Sequence, residues 1–188
     1  MPSLSEQVIL ITGASTGIGA ALAQLLAQRF MGIRLVLAAR SVEKLETVAN
    51  LCRKAGASVL SVPTDLEKIE QVEALAQASV AHFGRVDALV NNAGYGQMGP
   101  VELIPHEAVI RQFEINLMAP LVLIRALVPI MRDSGGGRII NISSLGGRLA
   151  FPFGGLYSNT VRLRFAIDNV LNKITRIVAF QHLKSLSL

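Results

Sequence analysis

The chain has 188 residues, 51% of them hydrophobic and 16% charged, with a net charge of +5. That length suits one domain built round a large shared core, and the single cysteine, Cys52, excludes an internal disulfide or a cysteine cluster for metal. Residues 1 to 160 carry thirteen Lys/Arg against twelve Asp/Glu, and residues 161 to 188 carry five against Asp168; the basicity belongs to the tail, and no basic surface laced with aromatics points to nucleic acid.

The apolar stretch Leu117 to Met131 is interrupted by Arg125 and falls short of a membrane span of about eighteen residues. The start of the chain lacks the charged segment and long apolar run of a signal peptide, so a cytoplasmic location is expected. Cys52 reads as a packed small hydrophobe. His82, His106 and His182 are scattered without partner spacing, so no metal site is expected.

In chain order, strands are expected at Val8 to Ile11, Arg34 to Ala38, Ser58 to Val62, Ala88 to Val90 and Arg138 to Ile142. Between them, helical spacing predicts helices at about Ile18 to Phe30, Val42 to Ala55, Ile69 to Phe83 and Glu107 to Met131. Ser41 is a candidate N-cap, Pro120 and Pro129 are expected to kink or split the fourth helix, and Gly135-Gly136-Gly137 to stop it. Strands alternating with helices imply an α/β fold, a Rossmann-like doubly wound parallel sheet with helices on both faces.

Thr12-Gly13-Ala14-Ser15-Thr16-Gly17-Ile18-Gly19 follows the first strand and opens the first helix. Glycines there let the backbone turn tightly and approach a pyrophosphate, and the free N–H groups of the helix start bind the anion. A glycine-rich turn alone has a plain structural explanation; strand before and helix after strengthen the dinucleotide reading.

The Gly-x-x-x-Gly-x-Gly spacing, preceded by Thr, resembles the short-chain dehydrogenase/reductase family, and further matches follow in that family's order over roughly residues 7 to 160. The resemblance implies that Gly13, Ser15, Thr16, Gly17, Ile18 and Gly19 hold the cofactor phosphates, and that Asp65 with Leu66 lies at the adenine. It also implies that in Asn91-Asn92-Ala93-Gly94 the first Asn braces the sheet while Ala93 and Gly94 lie along the cofactor. Ala39 stands where an acidic residue would accept from a ribose 2′-hydroxyl; Arg40 and Ser41 follow, and a guanidinium there pairs with a 2′-phosphate, which favours NADP(H) over NAD(H). Thr16 adds no second basic charge from the glycine loop.

Ser144 follows the fifth strand, and Tyr157 comes thirteen residues after it. In the family this pair and an Asn matched by Asn116 pass a proton to or from a substrate oxygen, so hydride transfer between NADP(H) and a carbonyl or alcohol is implied, with Asn116, Ser144 and Tyr157 as catalytic residues. The family motif Tyr-x-x-x-Lys is broken: Tyr157-Ser158-Asn159-Thr160 is followed by Val161. Arg162 would point about 100° away on a helix, and Arg164 shares the Tyr157 face roughly 10 Å along the axis, so neither replaces the Lys cleanly. The segment Leu145 to Leu156 is expected to line the substrate pocket, where Phe151 and Phe153 suggest an apolar substrate, with core packing as an equal explanation.

Family members run to about 250 residues, so the last one or two strands of the family fold are expected to be missing, with residues 1–160 family-like and 161–188 a divergent basic amphipathic tail of the same domain. The tail supplies one expected helix from Phe165 to about Arg176 and a short strand from Ile177 to Phe180, with Ile167, Val170, Leu171, Ile174 and Val178 as an apolar stripe. Homo-oligomerisation through the fourth helix and this tail helix is an expectation. The alternative is a catalytically impaired or dead product of truncation or frame error that retains dinucleotide binding; a tail that binds a membrane surface or partner is a third.

Overall fold

A computed structural model of the chain describes residues 2–149 and 151–171, the last seven by their backbone alone. The expected tail strand, the outer part of the tail helix and its apolar stripe lie outside the described residues and side chains. Strands β1 (Val8–Thr12), β2 (Arg34–Ala39), β3 (Ser58–Pro63), β4 (Ala88–Asn91) and β5 (Arg138–Asn141) form one sheet in the order β3-β2-β1-β4-β5. Every pairing is parallel, with Leu10 opposite Val36 and Leu89, and Leu89 opposite Ile139.

Because side chains alternate along a strand, the sheet feeds two cores. Val8, Leu10, Val36, Ala38, Leu89 and Ile139 pack with helices α3 (Ile69–Phe83) and α5 (Ala119–Asp133). Ile9, Ile11, Leu35, Leu37, Ala88 and Val90 pack with α1 (Gly17–Arg29) and α2 (Val42–Lys54) on the other side. The face of α1 is made of Ala20, Ala23 and Ala27, small residues that bring it close to the sheet. Cys52 is fully buried in this second core, as expected, and burial pushes its thiol pKa up.

The chain moves from β1 outward to β3, then returns to β4 on the other side of β1. Such a reversal leaves a crevice at the carboxyl ends of the central strands, where the connections to their helices diverge.

The fourth helix is split, one of the two outcomes expected of its prolines. It consists of α4 (His106–Phe113), a π-helical turn (Glu114–Met118) and α5. Pro120 has no N–H to return to the carbonyl of Asn116, and the bonding widens in the turn just before it. Pro129, by contrast, is carried inside α5 without ending it. The stretch His106–Asp133 is by length and composition apolar enough to cross a membrane, but its Leu123, Leu127 and Met131 are fully buried in the core shared with α3. α5 stops where Gly135 and Gly136 take φ of 89° and 107°, with Gly136 N–H donating to Met131 O at 2.8 Å. Ser41 stands at the N-cap of α2, yet its hydroxyl makes no cap bond. The last described helix, α6, runs over Gly155–Leu171 and carries Tyr157 in its first turn.

Candidate functional site

The crevice is a cleft of about 510 Å³ whose floor and rim bring together the glycine loop, the end of β2 and the segments after β3 and β4. Gly13, Ser15, Thr16, Gly17 and Ile18 line it, Asp65 and Leu66 lie on the β3 side, and Ala93, Gly94 and Tyr95 on the β4 side. Gly13 holds φ +67°, and a Cβ on it would stand 2.9 Å from Ala93 Cα. Gly19 serves packing: a Cβ there would stand 2.4 Å from Gly13 O, so only glycine lets α1 start this close to its own loop. The first N–H groups of an α-helix have no partner inside it, and those of α1 open at the loop. Backbone donors at a helix start, loop glycines that admit close approach and a cleft of this volume fit a dinucleotide.

Thr12 explains why the loop begins with Thr. Its Oγ1 accepts from the N–H groups of both Asn92 and Ala93 at 3.1 Å, and Asn92 Nδ2 donates back to Thr12 O at 3.0 Å and Gly13 O at 3.3 Å. Asn91 is 1% exposed and turns to the sheet, donating from Nδ2 to Asn141 Oδ1 at 2.7 Å, so β4 is braced on β5. Asn92 rather than Asn91 lines the cleft.

Ser144 and Tyr157 meet through Gly146. Gly146 N–H donates to Ser144 Oγ at 3.2 Å, and a Cβ on Gly146 would stand 3.2 Å from the Tyr157 ring. The other edge of that ring faces Gly96, where a Cβ would stand 3.0 Å away. Since Gly94 and Tyr95 line the cleft, Tyr157 lies beside its β4 end. Asn116 sits in the π-helical turn, 1% exposed, accepting from Tyr95 N–H at 2.9 Å and donating to Tyr95 O at 2.7 Å and Thr160 Oγ1 at 3.1 Å. At the place of the missing Lys, Val161 is buried, and its carbonyl accepts from Ser143 Oγ at 3.1 Å.

The model of the short chain dehydrogenase family matches residues 7–161. This chain belongs to the short-chain dehydrogenase family. An uncharacterized oxidoreductase of Staphylococcus saprophyticus is 34% identical over 95% of this chain and 71% of its own length. A metagenomic short-chain oxidoreductase solved with NADP is 37% identical, with a TM-score of 0.88 over 98% of this chain and 85% of its own. A short-chain dehydrogenase/reductase from Burkholderia phymatum solved with NAD is 30% identical, with a TM-score of 0.87 over 96% of this chain and 66% of its own. The chain spans 71% of the length of the Staphylococcus relative, 63% of another and 49% of a third.

In this member of the family the rim beside β2 holds two features that the sequence did not disclose. Lys44, in the first turn of α2, lines the cleft with Ala39, Arg40 and Ser41. A second cation thus stands beside Arg40 on this rim, from α2; its signal was a basic residue three places after the helix cap. Arg40 is 63% exposed in its side chain and lies 3.5 Å from Glu67 Oε1, whose other oxygen accepts from Arg111 Nε at 3.0 Å. That carboxylate raises the Arg111 pKa further, and the Arg111 guanidinium lies 5.8 Å over the Tyr95 ring.

The segment between Ser144 and Tyr157 turns four large apolar side chains outward. Leu145, Leu149, Phe151 and Phe153 are exposed, and Phe153 takes φ of 62°, a left-handed conformation that costs a β-carbon residue about 1 kcal/mol. Gly99 N–H holds it there by donating to Phe153 O at 3.0 Å. Phe153 is thus no core residue, while Phe151, 37% exposed, rests its ring against Gly146 and Gly154.

Proposed function

We propose that this short-chain dehydrogenase transfers hydride between NADP(H) and an apolar carbonyl or alcohol, with Ser144 and Tyr157 handling the proton. The observation that carries the reading is the continuity of the cleft: it runs from the glycine loop to Tyr95, and the Tyr157 ring sits against the next residue, Gly96. Bound there, the nicotinamide supplies or takes the hydride. The hydroxyls of Ser144 and Tyr157 then hydrogen-bond the substrate oxygen, and Tyr157 gives up its proton as charge grows on that oxygen, or takes one in the oxidation. Asn116 holds the Tyr95 main chain and, through Thr160, the first turn of α6.

Cofactor choice rests on the rim. Ala39 offers no carboxylate to a 2′-hydroxyl, while Arg40, Ser41 and Lys44 offer two cations and a hydroxyl to a 2′-phosphate. Asp65 and Leu66 take the adenine side, and Ala93 and Gly94 run along the nicotinamide half. The exposed Leu145, Leu149, Phe151 and Phe153 favour an apolar substrate. A cytoplasmic location and a homo-oligomer built through the α4–α5 helix and the tail helix belong to the same proposal.

Val161 favours a second reading, a chain that binds the dinucleotide and turns over slowly or not at all. The test is NADPH oxidation against a panel of aldehydes and ketones, with binding measured in parallel. Turnover with NADPH above that with NADH supports the first reading. NADPH binding without turnover on any substrate overturns it in favour of the second.

A further inference from the structure

Arg164 stands seven residues, about two helical turns, beyond Tyr157. Helical side chains lean toward the N-terminus of their helix, and this one is turned wholly inward, 3% exposed. Its Nε donates to Asn116 O at 3.0 Å, one terminal nitrogen to Ile142 O at 2.8 Å and the other to Ala93 O at 3.0 Å. These carbonyls lie on separate segments: the turn after β4, the π-helical turn, and the exit of β5. Each segment carries a part of the site just described, namely Gly94 and Tyr95, the Asn116 side chain, and Ser143 with Ser144.

The Asn116 carbonyl is available because of Pro120. In a regular α-helix residue 120 would return an N–H to it, and proline has none. A guanidinium offers five donors in one rigid plane, so a single group fixes the mutual distances of all these segments. An ammonium on a flexible stem at position 161 would not span them in the same way.

We propose that Arg164 is a positioning residue, and that it, rather than anything at position 161, sets the nicotinamide end of the cleft in this chain. The inference rests on the dinucleotide reading above. Arg164 acts through main-chain carbonyls and carries no proton for the reaction, since a guanidinium stays protonated throughout the working range. It thus takes over the anchoring of the site in a chain with Val161, without the exchangeable ammonium of a lysine.

The test compares two probes by calorimetric titration on the full chain, on Arg164→Lys and on Arg164→Met. The probes are 2′,5′-ADP, which reaches only the Arg40 and Lys44 end, and NADPH, which reaches both ends. The expected result is a Kd for 2′,5′-ADP within about twofold in all three proteins, and a Kd for NADPH raised about tenfold in Arg164→Met and less in Arg164→Lys. A purely structural staple would weaken both probes alike, and that result, or no change in either, overturns the proposal while leaving the dinucleotide reading in place. If Arg164→Met does not fold, Arg164→Lys against the unaltered chain carries the same comparison. An unaltered chain that binds neither probe overturns the dinucleotide reading first and this inference with it.

Discussion

Asn116 donates from Nδ2 to the Thr160 hydroxyl at 3.1 Å, tying the π-helical turn to the helix that carries Tyr157. The same amide holds both the N–H and the C=O of Tyr95, and Thr160 Oγ1 passes on to Tyr157 O at 2.9 Å. Removing the amide leaves several buried polar groups without partners, at roughly 1–3 kcal/mol for each. Asn116→Ala should therefore destabilise the fold by about 3 kcal/mol and Thr160→Val by about 1 kcal/mol, read from urea denaturation midpoints at constant m. Their double mutant should fall short of the sum, because the two share a bond. Additive losses would mean that the link contributes nothing.

Tyr157→Phe keeps the ring between Gly96 and Gly146 and removes the hydroxyl alone. If that hydroxyl is the proton donor, turnover drops by about two to four powers of ten. NADPH affinity and melting temperature should stay where they were. Retained turnover in the Phe variant would remove Tyr157 from the chemistry.

The strands were legible because each is a short β-branched or leucine-rich run with turn residues on both sides, and Ser144 and Tyr157 because a family spacing survives between them. Other features depend on folding that no linear pattern displays. Pro120 points to a kink, but its effect appears upstream, in the π-helical turn holding Asn116. Lys44 joins Arg40 only when the turn after β2 brings the start of α2 over the cleft. Arg164 shares the Tyr157 face but lies two turns along the axis, yet its long side chain returns to the carbonyls of Ala93, Asn116 and Ile142. Phe151 and Phe153 could be core or pocket in sequence; in the fold Phe153 is exposed, while Phe151 rests partly covered against Gly146 and Gly154.

Gly96 and Gly146 frame the Tyr157 ring so closely that an added methyl has to move it. A Cβ on Gly96 would stand 3.0 Å from the ring, which is below ordinary contact. Gly96→Ala should lower turnover by about tenfold through a misplaced phenol and leave the adenine end unchanged, so 2′,5′-ADP should bind as before. Unaltered turnover would show that the ring can shift without consequence.

Cys52 is fully buried and its thiol pKa is raised by that burial. An acid with a raised folded pKa adds stability below its unfolded value, near ~8.5 for a thiol, and that contribution is lost as pH rises through the folded value. At neutral pH the native chain should therefore react with a disulfide reagent only as fast as it opens, and urea should release the full rate. Rapid labelling of the folded chain would contradict the packing of α2 on the sheet.

Glu67 is shared between Arg40 and Arg111, and the two contacts differ. Arg111 Nε lies 3.0 Å from Glu67 Oε2, while Arg40 Nη1 lies 3.5 Å from Oε1 with its side chain 63% exposed. So loose and exposed a pair contributes little to stability, but it sets a negative charge beside the group proposed to receive the 2′-phosphate. A phosphate there has to compete with Glu67 for Arg40, and like charge opposes it. Glu67→Gln should tighten NADPH by about threefold and leave NADH unchanged, with little effect on melting temperature. Arg40→Ala should weaken NADPH by about tenfold, again without effect on NADH. Paired titrations of both dinucleotides on the two variants decide the matter: equal changes for NADPH and NADH would remove Arg40 from the recognition of the 2′-phosphate and leave Lys44 as the cation to test next.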